Sequence, residues 1–449
     1  MERNAELIKE LSEFVETDTD VEEYLRDWWQ YLSIEGSVKG SAIVVVRPKS
    51  EEEVKNVIKF ASSHKIPITC RGGGSSVTGS SVPLGGIVVD MSKMDKVVQI
   101  DNINYTVTVQ AGKKLSDLER ELNSLGFTLG HFPQSFHIAT VGGFISTMGT
   151  GEYSGRYGGI EDSCMSVRVV LPDGKLAETK SSNSPRSSTG PDLTRLFIGA
   201  EGYFGIITQA KLKISKIEKY QLKVAYSFSK IDEALSSARD LLGLDIHPAV
   251  CRIYEETEAS LLLNLNKVVM LLIYTFASEK LGQLIKDELV SLIHGKEEDS
   301  ALVDKWLEIR FKYREQMDTF RALGLIVDTA ELGCGWDKAS ELYYDTVSAL
   351  RSLDGVQGVG MHISHIYNQG VCLYFTILFE PSLQLYKRIW DTLHNIISKN
   401  NGTISHHHGV GMLKAEFVKR EVPFELLKGI KKSLDPSYIM NNGKLFSNT

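Results

Sequence analysis

The chain carries the stretch RGGGSSVTG at residues 71–79, directly after the apolar run IPITC at residues 66–70. Adjacent glycines permit positive φ angles and allow the backbone to approach another group closely. Successive N–H groups of such a loop can point into one concavity and bind an anion such as a pyrophosphate. The stretch lacks both the GKS/T ending of a P-loop and the GxGxxG pattern of a dinucleotide fold. On its own it fits a structural turn as well as it fits a ligand site.

Two further tracts of glycine and hydroxyl residues follow the loop. They are PQSFHIATVGGFISTMGTG at residues 133–151 and GAEGYFGIIT at residues 199–208. Their backbone amides and hydroxyls suit an extended polar ligand that lies along the chain. Three such tracts predict one large cofactor that bears phosphate groups, and the alternative is three unrelated loops.

The composition of the chain limits its class and its partners. With 449 residues it is long enough for two or three domains. Its 50 basic and 57 acidic residues give a net charge of −7, so nothing favours binding to a nucleic-acid backbone. The five cysteines form no CxxC pair, and no run of about 18 apolar residues could span a membrane. We therefore expect a cytoplasmic protein with reduced thiols and no nucleic-acid partner.

The order of the predicted elements indicates an α+β protein with two main units. Apolar residues at helical spacing predict a helical segment within residues 1–41. A first unit, residues 42–216, begins with strand, helix, strand and glycine loop, and it includes a hairpin with the turn Asp173-Gly174. A second unit, residues 217–430, alternates apolar strands with amphipathic helices. The tail, residues 431–449, carries turn signals and aromatic residues, so we expect it to pack back on the body.

Nine stretches carry a resemblance to a known family. They are CRGGGSS at 70–76, GHFPQSFHIATVGGFIST at 130–147, YGGIEDS at 157–163, STGPD at 188–192, GAEGYFGIIT at 199–208, PAVCR at 248–252, GVCLYF at 370–375, SHHHGVG at 405–411 and LDPSYIMNNGKLF at 434–446. Here the sequence resembles the vanillyl-alcohol oxidase / p-cresol methylhydroxylase (PCMH) family of FAD enzymes, in particular its alkyldihydroxyacetonephosphate synthase (alkylglycerone-phosphate synthase) group. The resemblance implies a PCMH-type FAD-binding domain at 42–216, a cap domain that binds substrate at 217–430, and a tail that returns towards the flavin.

The resemblance implies FAD contacts in the three small-residue tracts. The expected contacts are Arg71, Gly72, Gly73, Gly74, Ser75, Ser76, Gln134, Ser135, Phe136, His137, Ile138, Ala139, Thr140, Thr147, Met148, Gly149, Thr150, Glu201, Gly202, Tyr203, Phe204, Gly205, Ile206 and Ile207. Some members of the family attach FAD covalently through a histidine near the glycine loop. The stretch PITCRGGG contains no histidine, so we expect a non-covalent cofactor, with Cys70 as the remaining candidate for attachment.

Three consecutive histidines, His406, His407 and His408, have several interpretations. They can form a solvated loop, or bind a metal together with His362 and His365, or form an active-site cluster. Histidine moves protons near neutral pH and can donate to a developing oxyanion. The resemblance assigns catalysis to this triplet and to Tyr374, although a tyrosine in the strand-like GVCLYFTILF would otherwise be a core residue. We expect catalysis from these four residues and no metal.

Two arginines and a histidine are the expected substrate-binding residues. Arg321 matches an arginine that binds the anionic end of the substrate in the synthase group, and a guanidinium suits phosphate or carboxylate. Arg252 lies in the apolar PAVCRIY, where a charge needs a partner. His131 matches a histidine near the flavin. The substrate is expected to be a small or lipid-like molecule with an anionic group, and a homodimer and peripheral membrane contact remain open.

The resemblance implies a non-redox reaction on FAD. The acyl group of acyl-dihydroxyacetone phosphate would be exchanged for a fatty alcohol through an adduct at flavin N5, with Tyr374 as base or proton relay and Arg321 on the phosphate. The alternative is an FAD-dependent D-2-hydroxyacid dehydrogenase of the D-lactate or glycolate type. Such enzymes usually carry GHxGDGNxH and SxEHGxG, where this chain reads GMHISHIYNQG at 360–370 and ISHHHGVG at 404–411. A flavin-binding electron-transfer subunit is the alternative outside the enzymes.

Overall fold

A small parallel sheet begins the fold, which we describe from a computed structural model for residues 2–244 and 247–446. Strands β2, β4 and β3 are parallel neighbours, and β1 pairs antiparallel with β2 at the edge. These elements are α1 (Glu2–Ser12), β1 (Thr17–Asp18), β2 (Val44–Val46), α2 (Glu51–His64), β3 (Ile68–Arg71) and β4 (Ile87–Asp90). The hydroxyl of Ser50 caps α2 by accepting the N–H of Glu53 at 3.2 Å. The glycine loop therefore leaves the end of β3, as the sequence predicts.

An antiparallel sheet of order β5-β6-β10-β8-β9 completes the first unit, beside a short β11-β7 pair. Its elements are β5 (Val97–Asp101), β6 (Thr106–Gln110), α3 (Leu115–Ser124), β7 (Phe127–Thr128), α4 (Val141–Ser146), α5 (Ser154–Tyr157), α6 (Ile160–Ser163), β8 (Cys164–Val170), β9 (Leu176–Glu178), α7 (Thr194–Phe197), β10 (Ile206–Lys213) and β11 (Ser215–Lys216). The hairpin β8–β9 is confirmed, with Gly174 at a φ of 80° in the turn.

A seven-stranded antiparallel sheet forms the second unit, in the order β15-β12-β14-β13-β17-β18-β16. Its strands are β12 (Tyr220–Phe228), β13 (Val250–Tyr254), β14 (Val268–Phe276), β15 (Lys296–Glu298), β16 (Ile326–Gly335), β17 (Val356–Tyr367) and β18 (Gly370–Phe379). The helices of this half are α8 (Ile231–Leu241), α9 (Glu256–Leu263), α10 (Glu279–Leu292), α11 (Ala301–Ile309), α12 (Tyr313–Ala322), α13 (Ala339–Arg351), α14 (Leu383–Lys399), α15 (Ala415–Glu421) and α16 (Phe424–Leu434).

Both faces of the large sheet are covered. On β14, Met270 and Leu272 belong to a core shared with helices α8, α13 and α14, whereas Val269 and Leu271 belong to a second core on the opposite face. Successive side chains of a strand point to opposite faces, so a strand buried on both sides must be apolar throughout. This explains the unbroken apolar sequence VVMLLIYTF of β14. A polar residue on a neighbouring buried strand therefore needs a partner or a function.

The returning segment packs on the first unit. Phe446 lies edge-on to Tyr203 with ring centroids 5.0 Å apart, and Lys431 Nζ donates to the Tyr203 carbonyl at 2.9 Å. The core of the first unit also includes Ala415 and Val418. We retain the boundary at 216/217 as a proposal, and we propose that the segment returning to the first unit begins near residue 410.

The N-terminal segment differs from its helical prediction. Helix α1 ends at Ser12 and is followed by the short strand β1, and Tyr24 and Leu32 lie in single 3-10 turns at Glu22–Leu25 and Gln30–Ser33. The carboxylate of Asp18 accepts the N–H of Asp20, and that of Asp27 accepts the N–H of Trp29. Such local bonds compete with helix formation, which is why the spacing of the apolar residues is misleading here.

Within residues 2–244 and 247–446, no helix is both long and apolar enough to cross a bilayer.

Candidate active site

A cleft lies between the loops of the first unit and the large sheet. On one side it is lined by the three small-residue tracts, together with Trp28, Cys70 and Ser80. On the other side are eight residues that we call the cap wall. They are Arg252, Thr329, His362, Ser364, His365, Tyr374, His407 and His408.

The glycine loop fits tightly against the second tract. A Cβ built on Gly73 would lie 1.9 Å from the carbonyl oxygen of Ile138, and one on Gly72 would lie 2.2 Å from Thr140 Oγ1. In the part of the chain that the structure describes, the N–H groups from Gly73 to Val77 donate to no protein atom. Unused N–H groups around a concavity are what a dinucleotide pyrophosphate requires, so these residues fit FAD.

Most of the expected cofactor contacts line the cleft. They are Gly72, Gly73, Gly74, Ser75, Ser76, Gln134, Ser135, Ala139, Thr140, Thr147, Gly149, Thr150, Glu201, Gly202, Gly205 and Ile207. Glu201 connects the third tract to the returning segment, because its buried carboxylate accepts the N–H groups of Val410 and Gly411. The three tracts thus converge on one cavity.

The remaining expected contacts do not line the cleft. They are Arg71, Phe136, His137, Ile138, Met148, Tyr203, Phe204 and Ile206. Alternation along β3 directs Cys70 to the cleft and Arg71 to the other side, where its guanidinium donates to the Tyr24 and Ser81 carbonyls. Phe136, Tyr203, Phe204 and Ile206 are buried in the cores of the unit, Ile138 is half-buried, and His137 and Met148 are exposed.

Replacing Gly73 with alanine is expected to abolish flavin binding. The new methyl group would collide with backbone rather than with a side chain that can turn away, so the loop must move. We expect G73A to purify without the yellow colour of the wild type, measured as the absorbance ratio at 450 and 280 nm. Gly429, on α16, has open space around its Cβ, so G429A should keep full flavin content. Equal flavin in both variants would contradict this role of the loop.

Strand register explains the position of the cap-wall residues. Glu331 on β16 lies opposite Tyr374 on β18, which lies opposite His362 on β17, which lies opposite Tyr254 on β13. A register irregularity between Ile363 and His365 adds an extra residue to β17. Such a bulge changes the direction of the following side chain, and both Ser364 and His365 line the cleft here.

Glu331 organises the histidine triplet. Its carboxylate, fully buried, accepts the backbone N–H groups of His406, His407 and His408 at 3.0, 2.9 and 2.8 Å. It also lies 3.0 Å from Nζ of the buried Lys414 and 2.8 Å from Nδ1 of His407. Burial alone would raise the pKa of Glu331, but His407, His408 and Lys414 together hold that pKa well below its ordinary value.

Tyr374 is held as a neutral hydrogen-bond donor. Its hydroxyl donates to Thr329 Oγ1 at 3.1 Å and lies 3.3 Å from Nε2 of His408. Burial raises the pKa of Tyr374, and burial lowers the pKa of His408 to about 3. A phenol and an imidazole that are both uncharged can stabilise negative charge that develops on a substrate oxygen, but such a phenol is a poor base.

The triplet divides between the cleft and a side cluster. His407 and His408 line the cleft, whereas His406 does not and instead contacts Tyr367 Oη with Nε2 at 2.9 Å. Donor atoms of His365, His406 and His407 lie within 4.8 Å of one another, as do those of Glu331, His407 and His408. Of the two earlier candidates for a metal site, His365 therefore joins such a group and His362 does not. Elemental analysis of the purified protein tests the metal alternative.

Arg252, but not Arg321 or His131, lies on the cleft. Arg252 Nη1 donates to Ser364 Oγ at 2.5 Å, and its buried Nε has no partner among the described residues. Arg321, expected to bind the substrate anion, does not line the cleft here: its side chain is half exposed and bonds to Asp318 and Gln30. His131 is buried beneath Phe144 and contacts Ser163 Oγ, so its environment is structural.

Acid conditions are expected to destabilise the fold through buried neutral histidines. Burial lowers the pKa of His131 to about 4 and that of His406 to about 4. The unfolded chain takes up these protons near pH 6.5, before the folded chain does, so protonation favours unfolding as the pH falls below 6.5. For each such histidine, the free energy of unfolding falls by about 2 kcal/mol between pH 7.5 and pH 5. Urea unfolding at pH 7.5 and at pH 5 measures this change in the free energy of unfolding. The difference between the two pH values should be smaller in H131Q than in the wild type. A wild-type protein that is equally stable at both pH values would contradict the prediction.

Sequence reasoning missed several residues of the site. Glu331 and Glu258 are buried carboxylates, and Glu152 and Trp28 line the cleft. The signal for Glu331 was an acidic residue inside the apolar strand IVDTAELGCG, which is costly to bury unless paired. The others carry no comparable signal, because they lie in helices, turns or polar stretches.

Comparisons with known proteins agree with this architecture. Residues 42–180 match the family described as FAD binding domain, and residues 217–445 match the C-terminal domain of FAD linked oxidases. The chain is 28% identical to alkyldihydroxyacetonephosphate synthase of Dictyostelium discoideum over 91% of this chain and 74% of the relative. It is 29% identical to the mitochondrial cytochrome D-lactate dehydrogenase of Arabidopsis thaliana over 90% and 73%.

A solved structure of alkyldihydroxyacetonephosphate synthase matches with a TM-score of 0.81 and 23% identity, over 98% of this chain and 85% of that one. The two-domain α+β architecture expected from the sequence is confirmed, and FAD is the cofactor that the cleft accommodates.

Proposed function

The chain belongs to the family of FAD-linked oxidases, and from this membership we propose that it is an FAD-dependent oxidoreductase of a small 2-hydroxy acid. The observation that carries the proposal is the cap wall. All eight of its members have a polar or ionisable side chain, and none offers an aliphatic surface on which a long acyl or alkyl chain could lie. A polar wall around a guanidinium suits a compact, oxygen-rich anion.

Arg252 is the proposed anchor for the substrate carboxylate. It is buried, lines the cleft and has a free Nε, and a guanidinium binds carboxylates through two parallel hydrogen bonds. The alternative anion site, Arg321, lies outside the cleft. Ser364 orients the guanidinium through its contact with Nη1.

Three cap-wall residues, Tyr374, His408 and Thr329, would act at the substrate hydroxyl. FAD, when bound, supplies the acceptor for the two electrons and the hydrogen of the adjacent C–H bond. Tyr374 would turn its single O–H from Thr329 Oγ1 to the substrate oxygen as charge develops there, and the Thr329 hydroxyl can then donate its own proton to the phenol oxygen. Glu331, on the neighbouring strand β16, would hold the histidine triplet close to Tyr374 by accepting its backbone N–H groups.

We propose that FAD is held without a covalent bond. Burial raises the pKa of the Cys70 thiol to about 12, so the thiol is protonated and a poor nucleophile at neutral pH. Among the described residues that line the first-unit side of the cleft there is no histidine. Acid precipitation should therefore release all of the flavin into the supernatant.

A second candidate is the acyl-for-alcohol exchange implied by the synthase resemblance. The contact of Tyr374 with His408 beside the full triplet favours it, because the resemblance assigns catalysis to those residues. In that reaction Tyr374 and the triplet would pass the proton of the incoming alcohol. The polar cap wall and the position of Arg321 favour the hydroxy acid instead.

One assay separates the two candidates. The holoprotein is mixed anaerobically with D-lactate, glycolate and other 2-hydroxy acids while the oxidised flavin band near 450 nm is recorded. Bleaching supports the oxidoreductase. An unchanged band, together with exchange of labelled alcohol into acyl-dihydroxyacetone phosphate, would overturn it in favour of the synthase reaction.

A further inference from the structure

A buried carboxylate–imidazole pair stands at the edge of the cleft and has no part in the function proposed so far. His362 Nδ1 lies 2.7 Å from Glu258 Oε2, and both side chains are less than a tenth exposed. Glu258 belongs to the first turn of α9, and Gly360 on β17 makes room for it, since a Cβ there would lie 2.6 Å from Glu258 Cγ. The carboxylate therefore fixes the imidazole with its Nδ1–H directed at Glu258.

The other ring nitrogen of His362 is available to a ligand. The ring lines the cleft, and within the described part of the chain Nε2 makes no hydrogen bond. The ring stacks on Tyr374, with centroids 4.6 Å apart and an angle of 21° between the planes. This packing prevents the imidazole from turning, so Nε2 has one direction in which to act.

The pair lies next to the proposed carboxylate anchor. On β13 and β17, Ile253 faces Ile363 and Tyr254 faces His362, which brings Arg252 beside Ser364. Arg252 and His362 are thus on adjacent strands, offset by two residues along the ladder, and both line the cleft. Such diagonal neighbours lie within about 7–8 Å at their Cα atoms. A molecule whose carboxylate binds Arg252 therefore has its adjacent carbon near Nε2 of His362.

Five side chains from the elements packed against it face His362. They are Glu258 from α9, Arg252 and Tyr254 from β13, Tyr374 from β18 and His407 from the triplet. Burial and the positive charge of Arg252 lower the pKa of His362, while Glu258 opposes them. At neutral pH the ring is an acceptor, and Glu258 stabilises the imidazolium that forms when it accepts a proton.

We propose that His362, positioned by Glu258, is the base that removes the hydroxyl proton of the substrate. This inference rests on the proposed function. The O–H bond breaks and its proton moves to Nε2, while its electron pair stays on the oxygen and forms the C=O bond. The hydrogen of the adjacent C–H bond leaves with its electron pair for the oxidised cofactor. Tyr374 serves as the donor to the same oxygen, and Glu258 is a positioning residue.

The experiment compares H362Q and E258Q with wild type as holoproteins, using glycolate and D-lactate for anaerobic flavin reduction and oxalate as a non-reducing ligand. We expect H362Q to lower the reduction rate by about 100-fold or more with oxalate affinity changed less than threefold. The rate of the wild type should rise with pH through an acid limb, which H362Q abolishes and E258Q shifts to lower pH. Added imidazole should restore part of the rate of H362A.

The outcomes separate this inference from the proposed function. If the wild type is reduced and H362Q is reduced equally fast with the same pH profile, His362 is not the base, although the proposed function stands. If no hydroxy acid reduces the wild type, the proposed function fails and the base assignment falls with it. A parallel loss of oxalate affinity in H362Q would assign the ring to binding and would also overturn the proposal. His294→Gln, at an exposed position, is the matched control and should behave as wild type.

Discussion

Replacing Tyr374 with phenylalanine is expected to lower the rate of flavin reduction by about 100-fold or more, which is the usual effect of removing one donor to a developing oxyanion. The phenol is buried, neutral and fixed by Thr329 and His408, so no other group can take its place without moving. Flavin content should not change, because the hydroxyl faces the cap wall rather than the glycine tracts. Stopped-flow absorbance with a saturating 2-hydroxy acid measures the rate.

A second tyrosine provides the control for this variant. Tyr274 on β14 is buried, and its hydroxyl has no hydrogen-bond partner among the described residues. Y274F should therefore keep the full rate and should lose no stability. If Y374F were as fast as Y274F, Tyr374 would be a core residue, as its place in an apolar strand would otherwise suggest.

The free energy of unfolding is expected to fall by about 3–5 kcal/mol in Glu331→Ala, the range measured when one partner of a buried ion pair is removed. The substitution leaves Lys414 with Ser405 Oγ as its hydrogen-bond partner among the described residues, and it leaves three backbone N–H groups of the triplet without their acceptor. The triplet should then lose its order, and activity should fall with stability. Urea unfolding of the holoprotein, followed by tryptophan fluorescence, measures the change.

Two further variants make the Glu331 result specific. Glu341 forms an exposed pair with Lys338 in the same unit, and E341A should unfold as the wild type does. Adding Lys414→Met to E331A should recover part of the lost stability, because it removes the unpaired buried cation. An E331A protein as stable as E341A would show that the carboxylate does not hold the triplet.

Local signals in the sequence account for the elements that were predicted correctly. Ser50 caps α2, Gly174 forms the β8–β9 turn, and the glycines after β3 form the loop, each through the backbone of a few neighbouring residues. The helix predicted for the N-terminal segment is wrong beyond Ser12, because side-chain carboxylates such as Asp27 accept backbone N–H groups there. The spacing of apolar residues does not reveal such bonds.

The site itself depends on contacts between distant parts of the chain. Glu331 meets residues 75 to 83 positions away, and its role requires the register of β16 with β18, which no local pattern encodes. The same holds for Glu258 and His362, which are 104 positions apart. Family resemblance indicated Tyr374, His407 and His408, which line the cleft. It also indicated His406 and Arg321, which do not line it.

The affinity of the holoprotein for oxalate, read from the perturbation of the flavin absorption spectrum, tests most directly whether a small anion binds at the cap wall. Oxalate carries the carboxylate of a 2-hydroxy acid and cannot reduce the flavin. We predict saturable binding that is weakened by about 100-fold in Arg252→Met, as expected when a charge-assisted bidentate pair of about 3 kcal/mol is lost, and that is unchanged in Arg321→Met. Arg252→Lys keeps the charge, so its affinity for oxalate should lie between that of the wild type and that of Arg252→Met. Absence of oxalate binding, or weakening by the Arg321 substitution alone, would contradict the account.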